Sequence, residues 1–378
     1  MSFDVKGWCP GALRPMESGD GWVVRVRVPG GRMTPEQAHG IAAAAARHGN
    51  GLIDLSARAN VQLRGVTMES HAPLIAELRA LDLIDRDETA EARRNIVVQP
   101  FWTAGDGTLE MATALAEALA ATDLPLPGKF GFALDTGARP VLRALSCDIR
   151  VERHGQGFLV LADGATAGAV VAEAEVAQAA LTLARWFVDT GGITGGRGRM
   201  RPHLARAALP DAFRAAPRSD CPDFMAKSGP CPGGALVALA FGQMRAETLA
   251  LLADHGALRV TPWRMLLVEG VAQPPAIPGL LTDPDDPLTR VVACTGARGC
   301  PQARQSTRDL AARLAPAVPV GRLLHVSGCA KGCAHPFPAD LTLTATGTGF
   351  DLVRNGRAGD VALAHLTTDQ ITPESLTF

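Results

Sequence analysis

Apolar and polar positions alternate along "GWVVRVRVPGG" (21–31). A strand is expected there, with Val24, Val26 and Val28 on one face and Arg25 and Arg27 on the other. "TPEQAHGIAAAAARHG" (34–49) then reads as a helix: Thr34 is placed to cap it, Pro35 fits its first turn, Gln37 completes a capping box and Gly49 supplies a stop. "GLIDLSARANVQLRGV" (51–66) returns to a strand and puts Arg58, Asn60, Gln62 and Arg64 on one face. The unit is strand–helix–strand, with arginines on one sheet surface.

The same order recurs at "VALAFGQMRAETLALLADHGALRVTPWRMLLVEGV" (237–271). Gly242, Met244 and Leu249 echo Gly31, Met33 and the first helix, and "RVTPWRMLL" echoes "DLSARANVQL", so an internal duplication is expected. Between the copies, a helix is expected at 108–123, strands at "KFGFALDTG" and "LSCDIRVER", and a longer helix near 168–190. "GGITGGRGRMRPHLAR" (191–206) has the glycine and arginine of a phosphate cradle. No strand-borne glycine fingerprint accompanies it, and it reads as a solvated loop. A proline-rich linker (271–287) leads to the C-terminal segment.

Composition narrows the class. With 378 residues, 47% hydrophobic and 20% charged, the chain is long enough for two or three domains with a sizeable core. A net charge of -1 speaks against nucleic-acid or anionic-membrane partners, and no apolar run approaches the roughly 18 residues of a membrane helix. The N-terminal residues lack a signal peptide's apolar region, so a cytoplasmic location is expected. Eight cysteines in such a length are too few for a disulfide scaffold, and in a reducing cytosol spaced thiols tend to be metal ligands.

Four of them stand out. "ACTGARGCPQA" spaces Cys294 and Cys300 as C-x5-C, and "HVSGCAKGCAHP" spaces Cys329 and Cys333 as C-x3-C. A helix capped by Ser306 ("STRDLAARLA") and the strand-like "RLLHV" separate the pairs, which lets two loops face each other. Four thiolates from two loops suit a [4Fe–4S] cluster, and Gly296, Gly299, Gly328 and Gly332 allow backbone amides near its sulfurs. Buried structural cysteines and a zinc site are the competing readings; a C-x5-C half fits zinc poorly. Cys221 and Cys231 match no metal spacing, and Cys9 and Cys147 read as packing residues.

This C-x5-C, C-x3-C pattern, in a chain with an internal duplication, resembles the sulfite and nitrite reductase family over essentially the whole length. The resemblance implies an α+β fold. Two ferredoxin-like repeats (1–85 and 221–280) would pack together, with a first tetrapyrrole-cleft α/β domain (86–220) and a cluster-binding α/β domain (281–378) as two flanking halves. It makes Cys294, Cys300, Cys329 and Cys333 the metal ligands, Cys333 also bridging to sirohaem iron in reductases. "RVRVPGG" matches the first-strand motif and gives Arg25; "SARANVQ" gives Arg58 and Gln62; "RRNI" gives Arg94; "LPGKFG" gives Lys129. By the resemblance Arg25, Arg94 and Lys129 are catalytic, and these three with Arg58, Gln62 and Arg264 bind the tetrapyrrole.

The departures are Gly128 and Gly131 where the family has basic residues, Arg264 for a glutamine, and Lys331 for an asparagine. A reductase needs converging cations around a small anion, and part of that set is missing. These departures resemble the precorrin-3B synthases of aerobic cobalamin biosynthesis. That implies an O2- and NADH-dependent monooxygenase that hydroxylates precorrin-3A at C-20 with γ-lactone formation. It also implies a [4Fe–4S] cluster and a mononuclear non-haem iron, for which His325 or His335 are candidate ligands. With no dinucleotide fingerprint, NADH is expected to act through a separate electron donor protein. Arginine forks pair substrate carboxylates well, which assigns Arg25, Arg27, Arg58, Arg64, Arg94 and Arg264 to a cationic lining. A sirohaem reductase and a non-catalytic Fe–S electron-transfer protein are the alternatives.

Overall fold

The computed structural model describes residues 10–378, so Cys9 lies outside the described residues. The first sheet orders strands Met16–Ser18, Gly21–Val26, Val61–Val66, Leu52–Leu55 and Gln243–Arg245. Its apolar face (Val24, Val26, Ile53, Leu55, Val61, Leu63) is buried in one core with Ile41, Leu74 and Leu249. Helix Pro35–His48 forms as its sequence dictates: the Thr34 hydroxyl accepts from Gln37 N, and the Gln37 side chain accepts from Thr34 N.

The stretch 51–66 is two strands rather than one. The Ser56 hydroxyl accepts from the backbone of Arg58 and Asn60 and closes a turn at 56–60, where Ala59 takes a left-handed φ of 51°. Arg58 therefore sits on a turn, whereas Gln62 and Arg64 share a strand face.

The duplication is visible in the same details. The third sheet orders Gly229–Cys231, Gly234–Leu239, Met265–Glu269, Leu258–Val260 and Arg32–Met33. Thr261 Oγ1 accepts from Trp263 N as Ser56 accepts from Arg58 N, and Arg264 repeats the left-handed φ of Ala59 at 59°. The pairs Gly30/Phe241 and Gly31/Gly242 also share positive φ. Each sheet is completed by the other copy: Gln243–Arg245 pairs with Leu52–Leu55, and Arg32–Met33 with Leu258–Val260. The two repeats are thus one body with one core.

Two further sheets carry the rest. One runs Ala216–Pro217, Ala167–Val171, Gly157–Ala162, Ile149–His154, Phe132–Asp135 and Ile96–Val98, the last three parallel, under helices Thr108–Ala121 and Val176–Asp189. The helix expected near 168–190 begins only at Val176, because Ala167–Val171 pairs as a strand with Phe158–Val160. The arginines of 191–206 are not a cradle: Arg199 binds Asp148 and Arg201 binds Asp163. The other sheet runs Val291–Ala293, Leu324–Ser327, Ala339–Ala345, Phe350–Gly356 and Ala364–Leu366. Cys147 is buried and its thiol is pushed up to about 12 by desolvation, as suits a packing residue. Among the described residues no helix is long and apolar enough to cross a membrane.

Arg259 joins the third sheet to the segment that follows strand Ile96–Val98. Its Nη1 donates to the carbonyls of Pro100 and Trp102 at 2.8 and 2.6 Å, its Nε pairs with Glu269 at 2.6 Å, and its guanidinium lies 3.6 Å from the Trp102 ring centroid. Removing Arg259 strips the Pro100 and Trp102 carbonyls of a donor, while Arg32 still pairs both Glu269 oxygens at 2.9 Å. Arg259→Met is therefore expected to lower unfolding free energy by about 1–3 kcal/mol, read as a shift in urea midpoint. A loss below about 1 kcal/mol would assign this contact no structural weight.

Candidate functional site

The polar face of the first sheet carries Arg25, Gln62, Asp54, Arg64 and Gln243. Arg25 stands opposite Gln62, and its Nη2 and Nε donate to Gln62 Oε1 at 2.7 and 3.1 Å. A neutral partner holds this guanidinium in place without spending its charge. Arg58 Nη1 donates to the Lys129 carbonyl at 3.1 Å, so those two residues adjoin, with the Lys129 side chain exposed. Arg264 Nη2 donates to the Ala334 carbonyl at 2.8 Å, one residue beyond Cys333. Burial, helped by Arg308, lowers its pKa from the ordinary value, while Asp54, Cys333 and Cys294 oppose the shift.

Other arginines of the expected lining are already paired. Arg94 forms a two-pronged ion pair with Asp85 at 2.7 and 2.8 Å, and its Nη2 also donates to the Arg27 carbonyl at 2.7 Å. It lines a separate cavity of ≈ 200 Å³ with Val28, Asp82, Ile96 and Ala112. Asp85 thus shares its charge in this arrangement. Arg27 is buried within electrostatic reach of Glu91. Arg64 is 4% exposed and binds Asp20, Asp54, Ser18 and the Gly299 carbonyl. Burial would lower its pKa, but Asp20 and Asp54 outweigh this and raise it. At Gly131 a Cβ would lie 2.7 Å from Asn95 Nδ2.

The two cysteine loops meet. Gly328 N, beside Cys329, donates to Cys294 Sγ at 3.1 Å, and a Cβ on Gly328 would lie 3.3 Å from that sulfur. Burial raises the Cys329 thiol, with Cys294 and Cys300 adding to the shift. Cys333 opens to solvent at the mouth, although protein surrounds its sulfur. It is pushed up to about 11 by desolvation first and then by Cys294, Cys329 and Cys300. Cys329 and Cys333 therefore lie within electrostatic range of each other and of both Cys294 and Cys300. Helix Arg308–Leu314 starts after Thr307 rather than being capped by Ser306, because the Thr307 hydroxyl is turned to the Cys294 carbonyl, 2.6 Å away.

Among the described residues, no group of three or more His, Cys, Asp or Glu is gathered as a single metal ion requires. A cubane spreads its ligands over cluster corners, wider than one ion's shell. Four converging thiols, with a backbone amide already on one sulfur, fit that donor set. Bound iron would also offset the burial and, after it, the mutual repulsion that raise the Cys329 and Cys333 thiols.

His325 is fully buried, with neither ring nitrogen hydrogen-bonded, and its ring centroid lies 5.6 Å from that of His335. The described residues gather no third ligand with these imidazoles, so they do not fit a second iron.

Comparison with known proteins settles the family. Residues 14–81 match the nitrite/sulfite reductase ferredoxin-like half domain. The NirA protein of Mycobacterium tuberculosis shares the fold, with a TM-score of 0.66 at 18% identity over 93% of this chain and 78% of that one. A precorrin-3B synthase of Sinorhizobium sp is 32% identical over 95% of this chain and 85% of its own. The chain belongs to the precorrin-3B synthase branch of the nitrite and sulfite reductase family. A ferredoxin–nitrite reductase of Synechococcus elongatus is more distant, at 25% identity over 92% of this chain and 82% of its own. The α+β fold expected from the resemblance agrees with these relationships.

Motif matching did not reveal the carboxylates that sort the arginines. Asp54 is the instructive case: an acidic residue inside the apolar run "LIDL" was the available sign of a buried ion pair.

His325 also carries a pH dependence. Desolvation, then His335 and Arg264, lowers its pKa from 6.5 to about 4. As pH falls, the unfolded chain takes up this proton first, so the contribution is complete above pH 6.5 and is lost down to about 4. The loss is about 3 kcal/mol across that window. His325→Asn should flatten this acid limb in urea midpoints measured from pH 7 to 4; an unchanged slope would count against a buried neutral imidazole.

Proposed function

We propose that this protein is an oxidoreductase that converts precorrin-3A to precorrin-3B by monooxygenation at C-20, with closure of a γ-lactone. One atom of O2 enters the substrate and the other leaves as water. Two electrons come from NADH through a separate donor protein. The observation that carries this reading is the Arg25–Gln62 pair, a guanidinium held by an amide with no carboxylate partner among the described residues, on the polar sheet face that runs to the cysteine loops. The 32% identity to a precorrin-3B synthase supports it.

Precorrin-3A is a polycarboxylate. Arg25, Arg58 and Lys129 offer cationic groups on one side of the site, and Arg264 another beside Cys333. Each arginine can grip a carboxylate through two parallel N–H donors, a charge-assisted bond worth roughly 1.5–3 kcal/mol. Gln62 fixes the Arg25 fork in advance, so less rotamer freedom is lost when substrate binds. Together these residues orient the ring so that C-20 meets the reacting oxygen. Cys294, Cys300, Cys329 and Cys333 would hold a [4Fe–4S] cluster, which supplies one-electron transfer when bound. We assign no step to a second iron.

An anaerobic absorption spectrum with acid-acetone extraction, followed by turnover of precorrin-3A with O2, NADH and a reductase, tests the reading. Iron–sulfur absorption, no extractable porphyrinoid and oxygen-dependent product are expected. Extractable sirohaem would favour a reductase and overturn it. Arg25→Ala should lower kcat/KM by roughly 10- to 100-fold with the cluster spectrum intact; unchanged turnover would remove Arg25 from substrate binding.

A further inference from the structure

The limb that carries Cys300 is gripped from a distant part of the chain. At the tight turn between strands Met16–Ser18 and Gly21–Val26, the Ser18 hydroxyl donates to the Gly299 carbonyl. Arg64 Nη2 donates to the same carbonyl at 3.0 Å. Gly19 presses against the neighbouring backbone: a Cβ there would lie 2.2 Å from the Arg298 carbonyl oxygen and 3.3 Å from Cys300 N. Arg298 itself is held at a left-handed φ of 71°, a conformation that costs a non-glycine residue free energy and persists where neighbours enforce it.

Arg64 is aimed by its partners. Asp20 takes Nε and Nη2 at 2.8 and 2.6 Å, and Asp54 takes Nη1 at 3.0 Å. Asp54 also receives Gln243 Nε2 at 2.8 Å and lies 3.4 Å from Arg308 Nη2. Both sheet copies and the helix after the first cysteine loop are thereby tied to one carboxylate.

We propose that Ser18, Gly19 and Arg64 form a clamp that positions the Cys300 limb for cluster assembly, with Arg64 as its positioning residue. The clamp rests on the reading of Cys300 as a cluster ligand. It acts on that limb alone: among the described residues, no hydrogen bond joins the turn to the loop of Cys329 and Cys333. It requires the planar fork of arginine, since one ammonium cannot meet Asp20, Asp54 and the Gly299 carbonyl together.

Two full-length variants test it. Gly19→Ala adds a Cβ against backbone that cannot swing aside, and Arg64→Lys keeps the charge but loses the fork. In iron-free protein, alkylation by iodoacetamide is followed at each cysteine by mass spectrometry, with buried Cys147 as the reporter of global unfolding. Cys300 should react about tenfold faster in both variants, with Cys147 and Cys333 unchanged. Reconstituted variants should also release iron to a chelator faster than wild type. Wild-type rates at Cys300, or equal acceleration at Cys300 and Cys333, would overturn the clamp. If Gly19→Ala does not fold, Arg64→Lys decides alone. Wild-type protein that takes up no iron and sulfide would sink the cluster reading instead, while the labelling result still judges the clamp.

Discussion

A carboxylate buried inside an apolar strand has to be answered by positive charge, and much of this molecule is arranged around that requirement. Asp54 lies within the core-forming strand Leu52–Leu55. Leaving it unpaired there would cost several kcal/mol. Arg64 comes to it from the adjacent strand, Arg308 from the cluster half and Gln243 from the second repeat. Satisfying one charge thus brings three separated segments to one place. The cysteine loop lies against the same group through the Gly299 carbonyl. Ion pairing here sets position more than it adds stability.

The same economy explains which arginines remain available. Arg94 and Arg64 both have carboxylate partners at close range. Arg25 faces an amide instead. An amide orients a guanidinium without neutralising it, which leaves the Arg25 charge for an anionic ligand. The distinction between structural and binding arginines is one of partner chemistry rather than burial alone.

Much of the fold was legible in the chain. Period-two alternation marked the strand at 21–26, and the Thr34–Gln37 box marked a helix start that forms both its hydrogen bonds. The echo of "DLSARANVQL" in "RVTPWRMLL" became two turns with the same hydroxyl acceptor and the same left-handed residue. The cysteine loops were legible because their spacing is unusual. Less legible was anything decided by a tertiary partner. Arg64 and Gln62 sit two positions apart on one face and read alike, yet Asp20 and Asp54 claim only the first. Position 58 read as strand because alternation persists through it, whereas the Ser56 hydroxyl turns the backbone there. The strand at 167–171 was read as helix because small apolar residues there carry no clear period, and pairing with Phe158–Val160 decided it.

The exchange of strands between the repeats bears on how the chain is made. Met33 finds its sheet partner only at Leu258, so a ribosome must finish the second repeat before the first can close. Until then the edge at Leu52–Leu55 lacks Gln243–Arg245, and its amides are open to any passing strand. Long-range pairing of this kind slows folding and lengthens exposure to aggregation. Neither half expressed alone has the strands to finish its own sheet, so each would carry an open edge where the other repeat belongs.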